Sequence, residues 1–505
     1  MIGRAFGAIP WGIDARVVEV EADLSNGLPE TRIVGLTESE VRESRERVRT
    51  AIRNSEIDFP PKRAVITLKP VELRKEGRFL DLAIAGAVLS ALGYLPQEAL
   101  DERLLCGELG LDGSVRSIRG GLAIAELAVR EGYRSVLLPI ANAAEASIVR
   151  NATVVPVPSL NAAVRYLLGG DPPPVRAARM RPDLRAENLD LSQVMGQGVG
   201  KRALKIGAAG GHNLLLIGPR GSGKTMLARR LVGLLPPLAL PEAIEVTKIQ
   251  SLVAEEPPPG LATKRPFRSP YSGVSCAGML GGGRIPRPGE ASLAHGGVLF
   301  LDDLLDFRRE VLEVVGAALS RGEVTITKGW GWVRYPARFL LVAALEVRAS
   351  GLDGSVEECT CAPGSLGRLC RRLRAPLLDH FDLQVELAPM REPGIDPSEK
   401  TTAEVRKEVQ AVREVQRRRS SQRSTPDNAA TGPDDLHCPG LLSMSATRLA
   451  NEFIDSLQLS GQDRAAVLRV ARTVADLDGS DEVLVEHVTE AALYRSLTRL
   501  RRAGE

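Results

Sequence analysis

Residues 213–231, NLLLIGPRGSGKTMLARRL, leave this chain few folds to choose from. Four aliphatic residues, 214–217, run straight into a glycine-rich loop, and a helical pattern, TMLARRLVGLL, follows at once. The loop reads Gly218, Pro219, Arg220, Gly221, Ser222, Gly223, Lys224, Thr225, which fits G-x-x-x-x-G-K-[ST]. Glycine lets the backbone curl so that its N–H groups face a phosphate, and the positive end of the next helix adds attraction for anions. A lysine at the position of Lys224 reaches the β- and γ-phosphates, and a threonine at that of Thr225 can ligate Mg²⁺. A pattern this short also arises by chance. The strand before it and the helix after it are the context that a phosphate loop requires. The expected ligands are therefore ATP and Mg²⁺, on a P-loop α/β domain with a parallel sheet.

The second half of such a site is an apolar strand ending in carboxylates. GGVLFLDDLLDF supplies it, with residues 298–301 as strand and Asp302 and Asp303 at its end. Asp302 is placed to orient Mg²⁺ through its water shell. An ordinary buried strand with a charged cap is the alternative.

The rest of the chain sorts into segments. ARVVEVEADL, RAVITLK, SVLLPI and TVVPV read as strands. ESEVRESRERVRTAIRNS reads as an amphipathic helix with Val41, Val48 and Ile52 on one face, and LDLAIAGAVLSALGYL as a buried helix. Residues 1–170 thus form an α/β domain. Three consecutive prolines and a basic tail mark residues 171–188 as a linker. Residues 189–390 carry the phosphate loop. Residues 391–505 read as helical, with a polar mobile loop near 417–437.

The 505 residues are 44% hydrophobic and 26% charged, an ordinary globular balance, with a net charge of +3 that is too small to announce a nucleic-acid partner by itself. No apolar run approaches the roughly 18 residues of a membrane span. Six cysteines scattered over this length fit a reducing cytoplasm better than a disulfide scaffold.

Three long stretches, DLSQVMGQGVGKRALKIGAAGGHNLLLIGPRGSGKTMLARRL, RPFRSPYSGVSCAGMLGGGRIPRPGEASLAHGGVLFLDD and LRVARTVADLDGS, closely resemble the YifB/ComM family of Mg-chelatase-like AAA+ ATPases. VEVEADLSNGLPETRIVGLTESEVRESRERVRTAI and LCGELGLDGSVRSIRGGL resemble that family's Lon-protease-like N-domain. The resemblance covers nearly the whole chain. It implies a ring-forming protein, a hexamer or a mixed ring with active partners, closed by a C-terminal helical lid. In the ComM branch it implies DNA branch migration during natural transformation. Magnesium-chelatase activity itself is not implied.

Departures from the family pattern fall on the hydrolysis machinery. Where the family has Asp-Glu, this chain has Asp302-Asp303, and a misplacement of about 1 Å can cost on the order of a hundredfold in rate. The family's sensor asparagine is Glu346, a carboxylate that repels phosphate unless it is protonated or bridged by metal. The family's arginine finger is His380, and losing a finger can cost about 10³ to 10⁵ in kcat. The lid's sensor arginine is Gln462, with Arg464 two residues on. The favoured expectation is ATP binding with slow or absent turnover. The alternative is an active DNA-dependent motor in which Glu346 supplies the missing carboxylate and Arg371, Arg372 or Arg374 the finger.

Three further features carry expectations. Cys359, Cys361 and Cys370 lack an obvious fourth ligand, so no zinc is expected and free thiols are the plain alternative. Ala123 stands where a Lon-type lysine would sit and Lys75 lies in the KEG loop; no Ser–Lys dyad is visible, so no proteolysis is expected. TKGWGWVRYP reads as a hairpin whose Lys328, Trp330, Trp332 and Arg334 suit stacking on single-stranded nucleic acid, or else its tryptophans pack into a neighbouring subunit or the protein's own surface. VRKEVQAVREVQRRR is expected to be a solvated helix face rather than a phosphate-binding patch.

Overall fold

A computed structural model describes the chain except for residues 1, 29, 37, 59, 61, 72–74, 173–188, 330, 347–376, 390–399, 420–426, 431–441, 458–460 and 496–505. Two sheets organise it. The first has the strand order Thr31–Val34, Arg63–Lys69, Asp14–Ser25, Ile2–Trp11, Arg103–Leu105, Ser135–Pro139, Val154–Val157. Its centre is a long antiparallel hairpin in which Trp11 pairs with Asp14 across a two-residue turn. Gly12 takes a φ of 65° there, the left-handed conformation that such tight turns demand. Ile2–Trp11 was not anticipated from the sequence, because its small residues Gly3, Ala5, Gly7 and Ala8 carry little β signal. They are small because Asp81–Ala91, buried along its whole length, lies against them. A Cβ on Gly3 would meet the Ala87 carbonyl oxygen at 2.1 Å. Glu38–Asn54 buries Val48 and Ile52, the face that its sequence periodicity marks.

The second sheet is wholly parallel, in the order Phe267–Arg268, Val298–Leu301, Leu340–Glu346, Leu214–Gly218, Leu383–Glu386. Continuous apolar runs such as VLFL are buried on both faces, as a covered parallel sheet requires. The phosphate-loop strand lies between Leu340–Glu346 and Leu383–Glu386.

The helices Thr402–Arg419, Met444–Leu457, Gly461–Leu477 and Val485–Leu493 follow. Thr402–Arg419 is less of a solvated face than its charge implies. Val405, Val409 and Val412 are buried, Arg406 donates to the Gly233 carbonyl at 2.6 Å, and Arg413 to that of Ala208 at 2.8 Å. The stretch 417–437, expected as a mobile loop, is partly built in. Arg419 pairs with buried Asp476 at 2.5 Å, and Asn428 donates to Asp476 at 2.9 Å and to Thr473 at 3.1 Å. A buried carboxylate recruits polar partners that composition alone assigns to solvent.

At the amino ends of the parallel strands, His212 is fully buried, with Nδ1 2.8 Å from Asp382 and Nε2 2.7 Å from Thr473. Burial works against the Asp382 carboxylate, but His212 and Arg469 outweigh it and hold its pKa below the usual range. This cluster ties two strands to the helix Gly461–Leu477. His212→Ala is expected to cost roughly 3 kcal/mol, because it strips a partner from a buried charge. The shift in the urea midpoint measures it.

The two sheets' units dock through Leu240–Val253. Ser251 Oγ accepts from the Gly120 N–H at 2.9 Å, Lys248 pairs with Glu126, and Arg284 pairs with Glu40 at 2.8 Å.

Candidate nucleotide site

The strand Leu214–Gly218 ends where its hydrogen bonding stops, and the chain turns through Gly221 (φ 81°) and Gly223 (φ 87°) into the helix Lys224–Leu234. A Cβ on Gly218 would lie 2.8 Å from both the Leu387 carbonyl oxygen and Ser222 Oγ, so the first turn of the loop closes only with glycine. Lys224 is 7% exposed, and its Nζ donates to the carbonyls of Gly218 at 2.9 Å and Pro219 at 2.8 Å. The ammonium thus rests over the loop's own hollow. Gln197 also holds the loop, donating to the Ser222 carbonyl at 3.2 Å and to that of Ala388 at 2.7 Å. No motif in the sequence pointed to Gln197; the signal available was its place between two glycines, where it adopts a φ of 55°.

Asp302 follows Val298–Leu301, one strand beyond Leu340–Glu346 in the sheet, and Thr225 Oγ1 donates to its Oδ2 at 3.0 Å. The two groups expected to hold Mg²⁺ are therefore already in contact. Asp303 turns into a 3₁₀ helix with a φ of 51°, a left-handed conformation that aspartate tolerates better than most residues. Glu346 lies opposite Gly218 in the parallel register. Burial raises the Asp303 carboxyl above its ordinary range, and Asp302, Glu346 and Asp306 add to this while Lys224 opposes it. Burial lowers the Lys224 ammonium, whereas Glu346, Asp303 and Asp302 pull it upward. Three carboxylates thus share one lysine, a set short of positive charge. The donors fit a divalent cation held by Thr225 and Asp302. Such a cation would neutralise the carboxylates and polarise a terminal phosphate.

The other predicted residues lie elsewhere. His380 precedes the strand that begins at Leu383, whereas the phosphate loop follows a parallel strand's last residue. It therefore sits at the opposite edge of the sheet from this chain's own loop. Burial lowers its imidazole pKa, with Asp379 and Asp382 opposing, which favours the neutral ring. Gln462 is exposed near the start of Gly461–Leu477. Its neighbour Asp463 pairs with Arg495, which donates to the Phe381 carbonyl at 2.8 Å. Gln462 therefore belongs to the His380 edge and is not brought to the phosphate loop of its own chain.

The hairpin forms from Glu323–Lys328 and Gly331–Pro336, with Thr327 opposite Trp332. Trp332 is 52% exposed, and the Arg334 guanidinium stacks over its ring at 4.6 Å. The hairpin also leans on the chain itself. A side chain on Gly331 would begin 3.6 Å from the Trp11 ring, and one on Gly12 would begin 2.7 Å from the Arg334 carbonyl oxygen. Lys328 is exposed beside the tip, and Trp330 lies outside the described residues.

Cys359, Cys361, Cys370, Arg371, Arg372 and Arg374 are also outside the described residues. Among the described residues, no group of three or more His, Cys, Asp or Glu is arranged to hold a metal. Ala123 is buried in Gly121–Arg130, and the buried Lys75 ammonium is engaged by the Pro70 carbonyl. No helix among the described residues is long and apolar enough to cross a membrane.

Three family descriptions match successive parts of the chain: subunit ChlI of Mg-chelatase over residues 20–142, magnesium chelatase subunit ChlI over 190–394, and its C-terminal part over 399–495. The chain is 41% identical over 499 residues to the uncharacterized protein YifB of Escherichia coli, covering 97% of this chain and 96% of that one. It is 37% identical over 496 residues to the competence protein ComM of Haemophilus influenzae, covering 97% and 96%. A more distant likeness, 26% over 365 residues, is to the magnesium-chelatase 38 kDa subunit of Rhodobacter capsulatus, covering 65% of this chain and 91% of the other.

Proposed function

This chain belongs to the Mg-chelatase-like AAA+ ATPase family of YifB and ComM, and from that premise we propose that it binds Mg–ATP through residues 218–225 and turns it over slowly or not at all. The observation that carries the reading is the charge arrangement at the loop. Lys224, Thr225 and Asp302 are placed for the phosphate tail and its metal, while the residue after Asp302 is the short Asp303. Binding needs only the first three. Cleavage needs a carboxylate that reaches the attacking water, and a cation from elsewhere to meet the charge that develops on the phosphate.

We further propose a ring, hexameric or mixed, in which the His380 edge of one subunit faces the phosphate loop of the next. A residue at the amino ends of the parallel strands cannot serve its own loop, and in this arrangement Gln462 and His380 approach the same neighbouring nucleotide. The imidazole of His380 supplies no guanidinium fork there. The ring works on or near DNA, with Lys328, Trp332 and Arg334 on an exposed hairpin as the contact.

One observation favours a second reading, in which the chain is a DNA-dependent motor. Glu346 lies beside Asp303 across adjacent strands and within electrostatic reach of Lys224, where a longer carboxylate could act as the base. Steady-state ATP turnover with and without forked DNA, with Lys224→Ala as the blank, separates the two. Turnover at the blank's level upholds the slow or silent site. Turnover well above it and rising with DNA establishes the motor.

A further inference from the structure

Away from the phosphate loop, a cleft of about 660 Å³ opens between the two sheets' units, with Arg78, Glu76 and Glu108 on one wall and Arg284 and Arg287 on the other. It shares Glu76, Ile285 and Arg287 with a largely apolar recess of about 50 Å³, which Ile9, Phe79, Leu252 and Pro286 also wall and which Arg119 lines. The larger cleft has the volume of a small-molecule site but is lined mostly by charged side chains, and the apolar wall belongs to the recess.

Most charges in the cleft are already paired. Glu76 accepts from Arg78 at 2.8 and 2.5 Å, Arg284 holds Glu40 at 2.8 Å, and Arg47 holds Asp81 at 2.7 Å and Glu43 at 3.6 Å. The side chains of Arg119 and Arg287 have no hydrogen-bond or ion-pair partner among the described residues. Burial lowers the Arg119 pKa first, and Arg287 and Arg78 lower it further, against weaker support from Glu76 and Glu255. The structure therefore holds like charges together at one end of the cleft.

The backbone around both arginines is fixed. Before Arg119, the Ile118 N–H and carbonyl are bonded to Asn142 at 3.0 and 2.7 Å. After it, the Gly120 N–H is bonded to Ser251 at 2.9 Å. Arg287 stands between Pro286 and Pro288, whose rings fix φ, and the Pro286 carbonyl is held by the buried Tyr335 hydroxyl at 2.8 Å. The pinned backbone fixes where each side chain starts, and the planar guanidinium forks, with no side-chain partner of their own, match a phosphate group.

We propose that this cleft is a second anion site, in which Arg119 and Arg287 together bind the phosphate group of a small molecule whose apolar end enters the recess. Arg119 comes from one unit and Arg287 from the other, so the ligand fastens the two together. The inference is independent of whether the phosphate loop cleaves ATP.

The test uses the full-length chain carrying Lys224→Ala, to silence the phosphate loop, titrated with pyrophosphate by calorimetry. Binding is expected to weaken at least tenfold when Arg119→Ala and Arg287→Ala are added, and to return in part with Arg119→Lys. With Lys224 restored, the double arginine variant should bind ATP as the parent does and keep its melting temperature, which excludes misfolding. Affinity for pyrophosphate that is absent in Lys224→Ala, or unchanged by the arginine substitutions, overturns the proposal. So does a site that takes single-stranded oligonucleotide through these arginines and ignores pyrophosphate.

Discussion

Lys224→Ala is expected to weaken Mg–ATP binding about a hundredfold or more, read by calorimetry or displacement of a fluorescent ATP analogue. A charge-assisted hydrogen bond is worth roughly 1.5–3 kcal/mol, and each 1.4 kcal/mol is tenfold in affinity. The lysine stands to make more than one such bond, because its Nζ already lies 2.9 and 2.8 Å from two loop carbonyls that the phosphates would displace. Its second contribution is electrostatic. With Lys224 gone, Asp302, Asp303 and Glu346 face an incoming polyanion with no protein cation among the groups that set the Asp303 titration. Mg²⁺ then carries the whole burden, so the variant's remaining affinity should fall further on chelation. A loss smaller than threefold would mean that the phosphates do not lie over this loop.

The phosphate-loop strand, its helix and the strand before Asp302 were legible in the sequence because each is a local pattern: an aliphatic run, a glycine-rich turn, a carboxylate after the last apolar residue. The valine face of Thr402–Arg419 was equally periodic, but its arginines misled. Charge pattern cannot tell a guanidinium in water from one bonded to a carbonyl, as Arg406 and Arg413 are. Ile2–Trp11 escaped because alanine and glycine carry no β signal, and they are there to admit a helix some 80 residues away. The same holds for the site. Lys224, Thr225 and Asp302 come from two motifs that each announce themselves. Gln197, the placement of His380 and Gln462 at the far edge, and the Arg119–Arg287 pair follow from which segments the fold brings together. No local pattern encodes that. The adjacency of Glu346 to Asp303 is intermediate: strand order fixes it, and strand order follows from family likeness and not from periodicity.

Asp303→Glu is expected to raise ATP turnover roughly a hundredfold, the counterpart of the loss that a displacement of about 1 Å inflicts on a catalytic group. The added methylene moves the carboxylate toward the terminal phosphate while Asp302 keeps its bond to Thr225. The backbone resists the change. With φ at 51°, residue 303 sits where aspartate and asparagine are enriched and longer side chains are less at home, so a loss of about 1 kcal/mol of stability should accompany the gain. Glu346→Gln in both backgrounds identifies the base. If Glu346 already serves, the wild-type chain has measurable turnover, Glu346→Gln removes most of it, and Asp303→Glu restores it. If Glu346 only repels phosphate, Glu346→Gln tightens ATP binding and leaves turnover at the blank, because a neutral amide no longer opposes the anion. His380→Arg adds to the Asp303→Glu gain only where the phosphate loop of one subunit meets the His380 edge of another. An increase that depends on protein concentration therefore reports the ring. An Asp303→Glu chain that binds ATP, assembles and still does not turn it over would place the defect at the His380 edge and not at the carboxylate.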